Sequence, residues 1–452
     1  MSAKKLLLLT VVVAVLFAFI ALFERKMPTT SDRERKGELY WDVPPDRVER
    51  LELTRGAEKL ELKRVDASRW RIEAPEKYPA DTFAVSGLAS ALAQLKRVGS
   101  EGADAKPADY ALDRPVAKAT FSWTDPDDPK TRKTKTVEFG AAVPGTDAVS
   151  AREAGTDRVL FVPSSVLTDV QKKADDFASK DVFGGTSAEA SRVEVLRGRG
   201  RLAFVRKAGA WWLAEPLSDL ADPVETDRLV GQLTALRARE FVHDGPDLAA
   251  QGLNPPLFRV TLTDSKGAST TVDFGATRSD GTSVFALREG RVLLVDHEIV
   301  DDLSREAVAF RNPQLVDFNR GDVVSLEGSF GTTSFVLTQK DGGWSAAGHP
   351  VLAGAADDVV SSVLELKSKG FLDDAEAKAL PPATATITVK TKAGAPWILS
   401  IHPHSAGGAA ARVSSRPGGF LLETAPAASL QAAFQKAVAP PPTPAPTKPA
   451  KK

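Results

Sequence analysis

Residues 207–216 read KAGAWWLAEP, and this stretch has two counterparts in the same chain. Residues 68–75 read SRWRIEAP, and residues 343–350 read GWSAAGHP. In each, Pro follows Trp by a few positions. Trp70, Trp212 and Trp344 lie 142 and 132 positions apart, which points to a repeated structural unit. The length of 452 residues suits about three domains at roughly 150 residues each.

The surroundings repeat as well. Two strand-like runs precede each Trp: 48–54 with 60–63, 193–196 with 202–205, and 323–326 with 334–337. Several alternate apolar and polar residues, as half-buried strands do. After the Pro comes a helical pattern with apolar residues at +4 and +7: Leu88, Leu92 and Leu95, then Leu229, Leu233 and Leu236, then Val359, Val363 and Leu366. That spacing lines one helix face. Asp81, Asp222, Asp227, Asp357 and Asp358 lead in, where a carboxylate suits the helix N-terminus.

The second half of each unit recurs too. Tyr110-Ala-Leu-Asp-Arg-Pro115 parallels Gln251-Gly-Leu-Asn-Pro-Pro256 and, more weakly, Ala379-Leu-Pro-Pro382. Thr136-Val-Glu-Phe-Gly140 parallels Thr271-Val-Asp-Phe-Gly275, and a closing helix ends each unit. The expected fold class is therefore α+β: three tandem β-β-β-α-β-β-β-α-like repeats with mostly antiparallel sheets. The units are expected at 44–183, 184–316 and 317–438, the third being the most degenerate.

The repeat sets the reading of the tryptophans. Trp70, Trp212 and Trp344 are expected to serve the shared core. Trp211 then points the other way by strand alternation, toward solvent or a neighbouring unit, and is the candidate interaction residue.

Little chemistry stands out. The chain has no Cys, which excludes disulfides and thiolate chemistry. Lys+Arg and Asp+Glu both number 59, so a nucleic-acid partner is not expected. Five His lack any metal-binding spacing, and His402-Pro-His404 is only a weak metal candidate because Pro403 interrupts the strand. The pairs Asp301-Asp302, Asp357-Asp358 and Asp373-Asp374 read as helix caps or solvated faces. Arg320-Gly-Asp322 is a match short enough to arise by chance. No catalytic residue and no cofactor are expected.

The ends carry the signals about location. Leu6 to Phe23 is an uncharged apolar run that makes a helix of about 27 Å, enough to cross a bilayer core. No small-x-small cleavage site follows it, so residues 1–23 are expected to be a membrane anchor and 24–43 a linker. Lys4 and Lys5 precede the run, whereas Arg25, Lys26, Arg33, Arg35 and Lys36 follow it. That count alone favours a cytoplasmic body, but large domains translocate largely regardless of charge. Residues 439–452 form a Pro-rich tail expected to lack a packed fold.

The succession of Trp-Pro, Asp-led helix, Tyr-x-Leu-x-x-Pro and Phe-Gly resembles a bacterial family described as domain of unknown function 4340. Tyr110 to Pro115, Gly252 to Pro256 and Ala309 to Leu315 carry the resemblance most closely. It implies one membrane helix followed by extracytoplasmic repeats, often encoded beside transporters resembling the gliding-motility type of ATP-binding cassette system. The expectation is a non-catalytic scaffold or accessory subunit, anchored in the inner membrane with its body in the periplasm and with transporter subunits as partners. A cell-wall or surface-glycan binding module, with Trp211 as the stacking residue, is the first alternative. A hydrolase with an unrecognised site is the second.

Overall fold

In the computed structural model the described residues are 39–439, apart from 101–104, 126–127, 129, 199, 244–246, 341–342, 347–348, 352–353, 393, 405–407 and 423–425. The expected anchor, most of the linker and nearly all of the Pro-rich tail lie outside the described residues. Among the described residues no helix is long and apolar enough to cross a membrane.

The described residues form three sheets of nine strands each. In the first repeat the strands are β1 (Val48–Arg55), β2 (Glu58–Arg64), β3 (Trp70–Ala74), β4 (Tyr78–Pro79), β5 (Gly99–Ser100), β6 (Ala117–Thr124), β7 (Arg132–Ala142), β8 (Ala148–Glu153) and β9 (Leu160–Pro163). Helix α1 (Thr82–Ala93) follows β4, and α2 (Ser164–Val170) follows β9. The order across the sheet is β4-β3-β2-β1-β6-β7-β8-β9-β5, and the other two sheets repeat it strand for strand. Each repeat is thus two meanders joined at a central β1–β6 pair, all antiparallel. The two-residue strands at the edges are the elements that periodicity does not reveal. They are too short to show alternation.

One face of each sheet is apolar and the helices cover it. Leu51, Leu53, Leu60, Leu62, Phe121 and Phe139 point inward in the first repeat, and Val85, Leu88 and Leu92 of α1 are buried. Full burial contributes about 1.5–3 kcal/mol per such side chain. Asp81 and Asp222 cap their helices, each carboxylate accepting two backbone N–H groups. The third repeat departs from that pattern. Gly354 stands at the helix N-cap there, and Asp357 and Asp358 sit in the first turn.

The repeats share a turn and differ at a closing helix. Gly56, Gly198 and Gly331 occupy the same hairpin, each with positive φ, which an L side chain disfavours. The residue before it decides how the last helix ends. Arg55 donates from Nη1 to the carbonyls of Gln171 and Lys172, and Arg197 donates to those of Leu303, Ser304 and Arg305. Each guanidinium thereby satisfies the orphan carbonyls at a helix C-terminus. Phe330 stands there in the third repeat, and its helix runs longer, Pro426–Val438. Phe330 packs 5.8 Å from Phe434 of that helix. Gly328 replaces the Leu53 and Val195 of the other repeats, and a Cβ there would lie 2.9 Å from the Phe434 ring. Arg197→Ala is expected to destabilise residues 181–439 by about 1–2 kcal/mol. Urea unfolding of that fragment against the parent checks it.

The chain divides after Lys180 into two compact units, and the second and third repeats share the second unit. Short bridges mark the start of each repeat: Leu39 with Lys96, Asp181 with Arg237 and Gln314 with Lys367. Residues 181–183 pack with the second repeat, Phe183 stacking 6.3 Å from Phe274, and Leu315 belongs to the third core. The joints therefore sit a few residues earlier than the repeat in the sequence suggests.

Candidate functional site

The strand register overturns the assignment of the adjacent tryptophans. Trp70 pairs with Arg64, Trp211 with Arg206, and Trp344 with Gln339. Trp211, not Trp212, is therefore the counterpart of Trp70. The side chains agree. Trp70 is 2% exposed and Trp211 3%. Each indole N–H donates to the helix residue sixteen positions on, Ser86 Oγ at 3.2 Å and Asp227 Oδ1 at 2.9 Å. Each ring lies under a guanidinium, Arg64 at 4.5 Å and Arg206 at 4.7 Å. Trp211 is thus a core residue and offers no stacking face for a glycan. Trp344 is half-buried against the third core. Trp212 is the outward one, half-exposed on the open face, with Lys207 Nζ 5.3 Å from its ring. The spacing to Pro agrees with the register: Trp70 and Trp211 each stand five residues before Pro75 and Pro216, whereas Trp212 stands four before Pro216.

His402 takes the place of Gly140 and Gly275. In the first two repeats a Cβ at that glycine would lie 2.1 Å from the Tyr110 carbonyl oxygen or 2.2 Å from that of Gln251. The Tyr-x-Leu-x-x-Pro segment and its counterpart press directly on the strand. Leu112 and Leu253 of these segments are buried. In the third repeat His402 is buried and its Nδ1 lies 2.7 Å from the Pro381 carbonyl oxygen. The imidazole fills the gap and bonds to the segment instead of being displaced by it. His404 lies just beyond the strand, its N–H donating to Gly408. Among the described residues no three His, Cys, Asp or Glu gather as a metal site. Gly275→Ala is expected to cost about 1–3 kcal/mol by overpacking against backbone, with the midpoint in urea as the readout.

The acidic pairs do structural work. Asp302 is buried and holds Arg228 at 2.6 Å, and Asp373 caps its helix through a reciprocal bond with Glu376. Arg320 to Asp322 forms a single short turn.

Around the central strands of the first two repeats, the sheet face away from the helices is polar. Lys118 and Arg152 bracket Glu138 at 2.6 and 2.8 Å, and Thr120 bonds Thr136 across the strands. The second repeat places Arg259 on Asp273 at 2.6 Å and bonds Thr261 to Thr271. Burial, the largest single influence on Glu138, pushes its carboxyl up, but Lys118 and Arg152 together hold it below the usual range. Glu194 is depressed likewise by Arg192 and Arg201 against the opposing effect of burial. A lowered folded value means the stabilisation is complete above the ordinary Glu value of about 4.3 and fades as pH falls through the folded one. Glu194→Gln is therefore expected to differ from the parent at neutral pH and to converge with it in acid unfolding.

Two features escape sequence reading. The first is a pair of exposed apolar residues at the same helical position, Phe83 at 91% and Val224 at 73%. The second is a buried charge cluster at the joint of the second and third repeats. Asp219 is fully buried and accepts from Arg311 Nε at 2.7 Å, Arg416 Nε at 2.7 Å and Arg416 Nη2 at 3.0 Å. Arg311 also donates to the Pro417 carbonyl, and Arg416 to those of Asn312 and Gln314. The guanidinium groups lie over Phe371 and Phe420. Asp219 belongs to the second sheet, Arg311 to the connection and Arg416 to a hairpin of the third. No local pattern links residues so far apart.

No curated protein matches the chain. A family model described as Domain of unknown function (DUF4340) matches residues 70–256 and again residues 211–384. The two matches begin on Trp70 and Trp211, the pair that the strand register makes equivalent. They end just before the strands that begin at Phe258 and Ala385, or one residue short of them. Together they cover residues 70–384, and the chain belongs to the DUF4340 family.

Proposed function

We propose that the protein is a non-catalytic, membrane-anchored scaffold or accessory subunit of an envelope complex, associated with an ATP-binding cassette transporter resembling the gliding-motility type. Its Leu6–Phe23 run holds it in the inner membrane, and the repeats lie in the periplasm. The observation that carries this reading is the joint around Asp219. Three buried charged side chains, bonded to one another and to backbone carbonyls, hold the second and third repeats as one body. A fixed arrangement of broad sheets suits holding partners in register, because surfaces that do not reorder on binding lose less entropy there.

The test is crosslinking of the full chain in its native membrane, followed by detergent extraction and identification of partners by mass spectrometry. Transporter subunits are expected to co-purify and to be lost when residues 1–23 are removed. Recovery of the full chain only as a lone monomer overturns the reading. A reporter fused after residue 452 is expected to report the periplasmic side.

A further inference from the structure

The three sheets provide an internal control for what their open faces need. Five positions near the β3 edge are occupied in the first repeat by Glu61, Lys63, Arg71, Glu73 and Pro79. Strand register places Ala203, Val205, Trp212, Ala214 and Leu220 there in the second repeat. Four charged residues have become apolar on the same backbone, Ala203 being fully buried, while Ala74 beside them has become Glu215, which pairs with Arg201. The third repeat keeps polar residues at the two central positions, Thr338 and Ser345. The fold therefore does not demand an apolar row at this place, and the second repeat has one for another reason.

The row crosses three strands, Val205 opposite Trp212 and Trp212 opposite Leu220. All three are partly exposed. With strands about 4.8 Å apart, Val205 and Leu220 are separated by about 10 Å. Two turns of α-helix present apolar residues at i, i+3 or i+4, and i+7 over nearly the same length, about 10.5 Å. Around the row stand Arg192 and Arg201, both engaged with Glu194, and Lys207, which leans over the Trp212 ring. Lys207 is the cation of this rim placed to meet an incoming acid. The cross-strand neighbours of Trp212 in the row, Val205 and Leu220, are aliphatic and bond no sugar hydroxyl. On its far side the row abuts the joint, since the Leu220 carbonyl accepts from Asn312.

We infer that Val205, Trp212 and Leu220 form a docking strip for an amphipathic helix of a partner protein. The helix carries apolar residues at i, i+3 or i+4, and i+7, and an acidic residue that meets Lys207. A Trp at the centre of a small apolar patch with a charged rim is a common anchor of such contacts. The inference rests on the scaffold reading and names the surface it uses.

The test places a photo-crosslinking amino acid at Val205, and in a second full-length protein at Lys63, with both expressed in the native membrane. An adduct is expected at 205 and not at 63, and its peptide is expected to be a helical segment with that apolar spacing and an acidic flank. Trp212→Arg, which installs the residue of the first repeat, is expected to lower the yield at least tenfold with an unchanged urea midpoint. Lys207→Glu is expected to lower it several-fold. Equal yields at 63 and 205, an adduct with glycan alone, or a crosslinked peptide without the spacing overturns the inference. Absence of an adduct at 205 while partners still co-purify overturns it and leaves the scaffold reading standing. Loss of both partners and adducts overturns the two together.

Discussion

Asp219→Ala is expected to destabilise the second unit by about 3–5 kcal/mol, the range for removing one partner of a buried ion pair. The carboxylate is the only anion among the partners described for Arg311 and Arg416, and both guanidinium groups are buried with it. Without it two positive charges face each other across a buried joint, and their remaining bonds to the carbonyls of Asn312, Gln314 and Pro417 do not neutralise them. Opening the joint to water relieves that cost, so the loss is expected to be local. Hydrogen exchange should accelerate at 311–315 and 413–419 before the strands at the centres of the two sheets are affected. Residues 39–180 should keep the parent's exchange, which makes the first unit an internal reference. A uniform change across all three repeats, or none at 311–315, would falsify the account of the joint. Asp219→Asn keeps the shape and loses the charge, and its effect is expected to be nearly as large.

Trp211→Ala is expected to cost about 3–5 kcal/mol and Trp212→Ala less than about 1 kcal/mol. The two residues are chemically identical neighbours, so the contrast isolates position. Trp211 fills the core between its strand and the helix Pro223–Ala235, donates to Asp227 and lies under Arg206. Its removal leaves a cavity and frees a carboxylate and a guanidinium from their shared ring. Trp212 loses surface contacts with Val205, Leu220 and Lys207 only. Urea midpoints of the two variants, measured side by side, decide it. Equal losses would return Trp212 to the core. The same comparison separates stability from binding, because Trp212→Ala is the variant expected to lose a partner while staying folded.

Much of the fold is legible without coordinates because the chain writes it three times. The first two apolar positions of each helix after Trp-Pro, the Asp caps of the first two, and the strand alternation agree with the structure, whereas Leu95, Leu236 and Leu366 are buried at or just past the helix ends. A residue type recurring at one place in three copies reports a shared physical need, and burial is the commonest. The same logic failed at KAGAWWLAEP for a specific reason. Two adjacent Trp satisfy the same spacing to within one residue, and a shift of one residue along a strand moves a side chain to the opposite face. The pairing of Arg206 with Trp211 and the burial of Trp211 resolve it. The edge strands were illegible because two residues have no periodicity, and the end of the last helix because an Arg and a Phe look alike as punctuation before a glycine.

By itself the sequence determined the fold class, the threefold repeat, the helix faces and the absence of thiol chemistry, since each depends on composition or on local spacing. The tertiary structure decided which Trp is inside, why His402 replaces a glycine, how the second and third repeats are locked, and where an apolar row lies open. Those depend on residues brought together from separate strands. Asp219, Arg311 and Arg416 are separated by 92 and 105 positions, and Val205, Trp212 and Leu220 line up only once their strands are in register. Burial and charge pairing act through space, and a linear pattern records them only where neighbours in the chain are also neighbours in the fold.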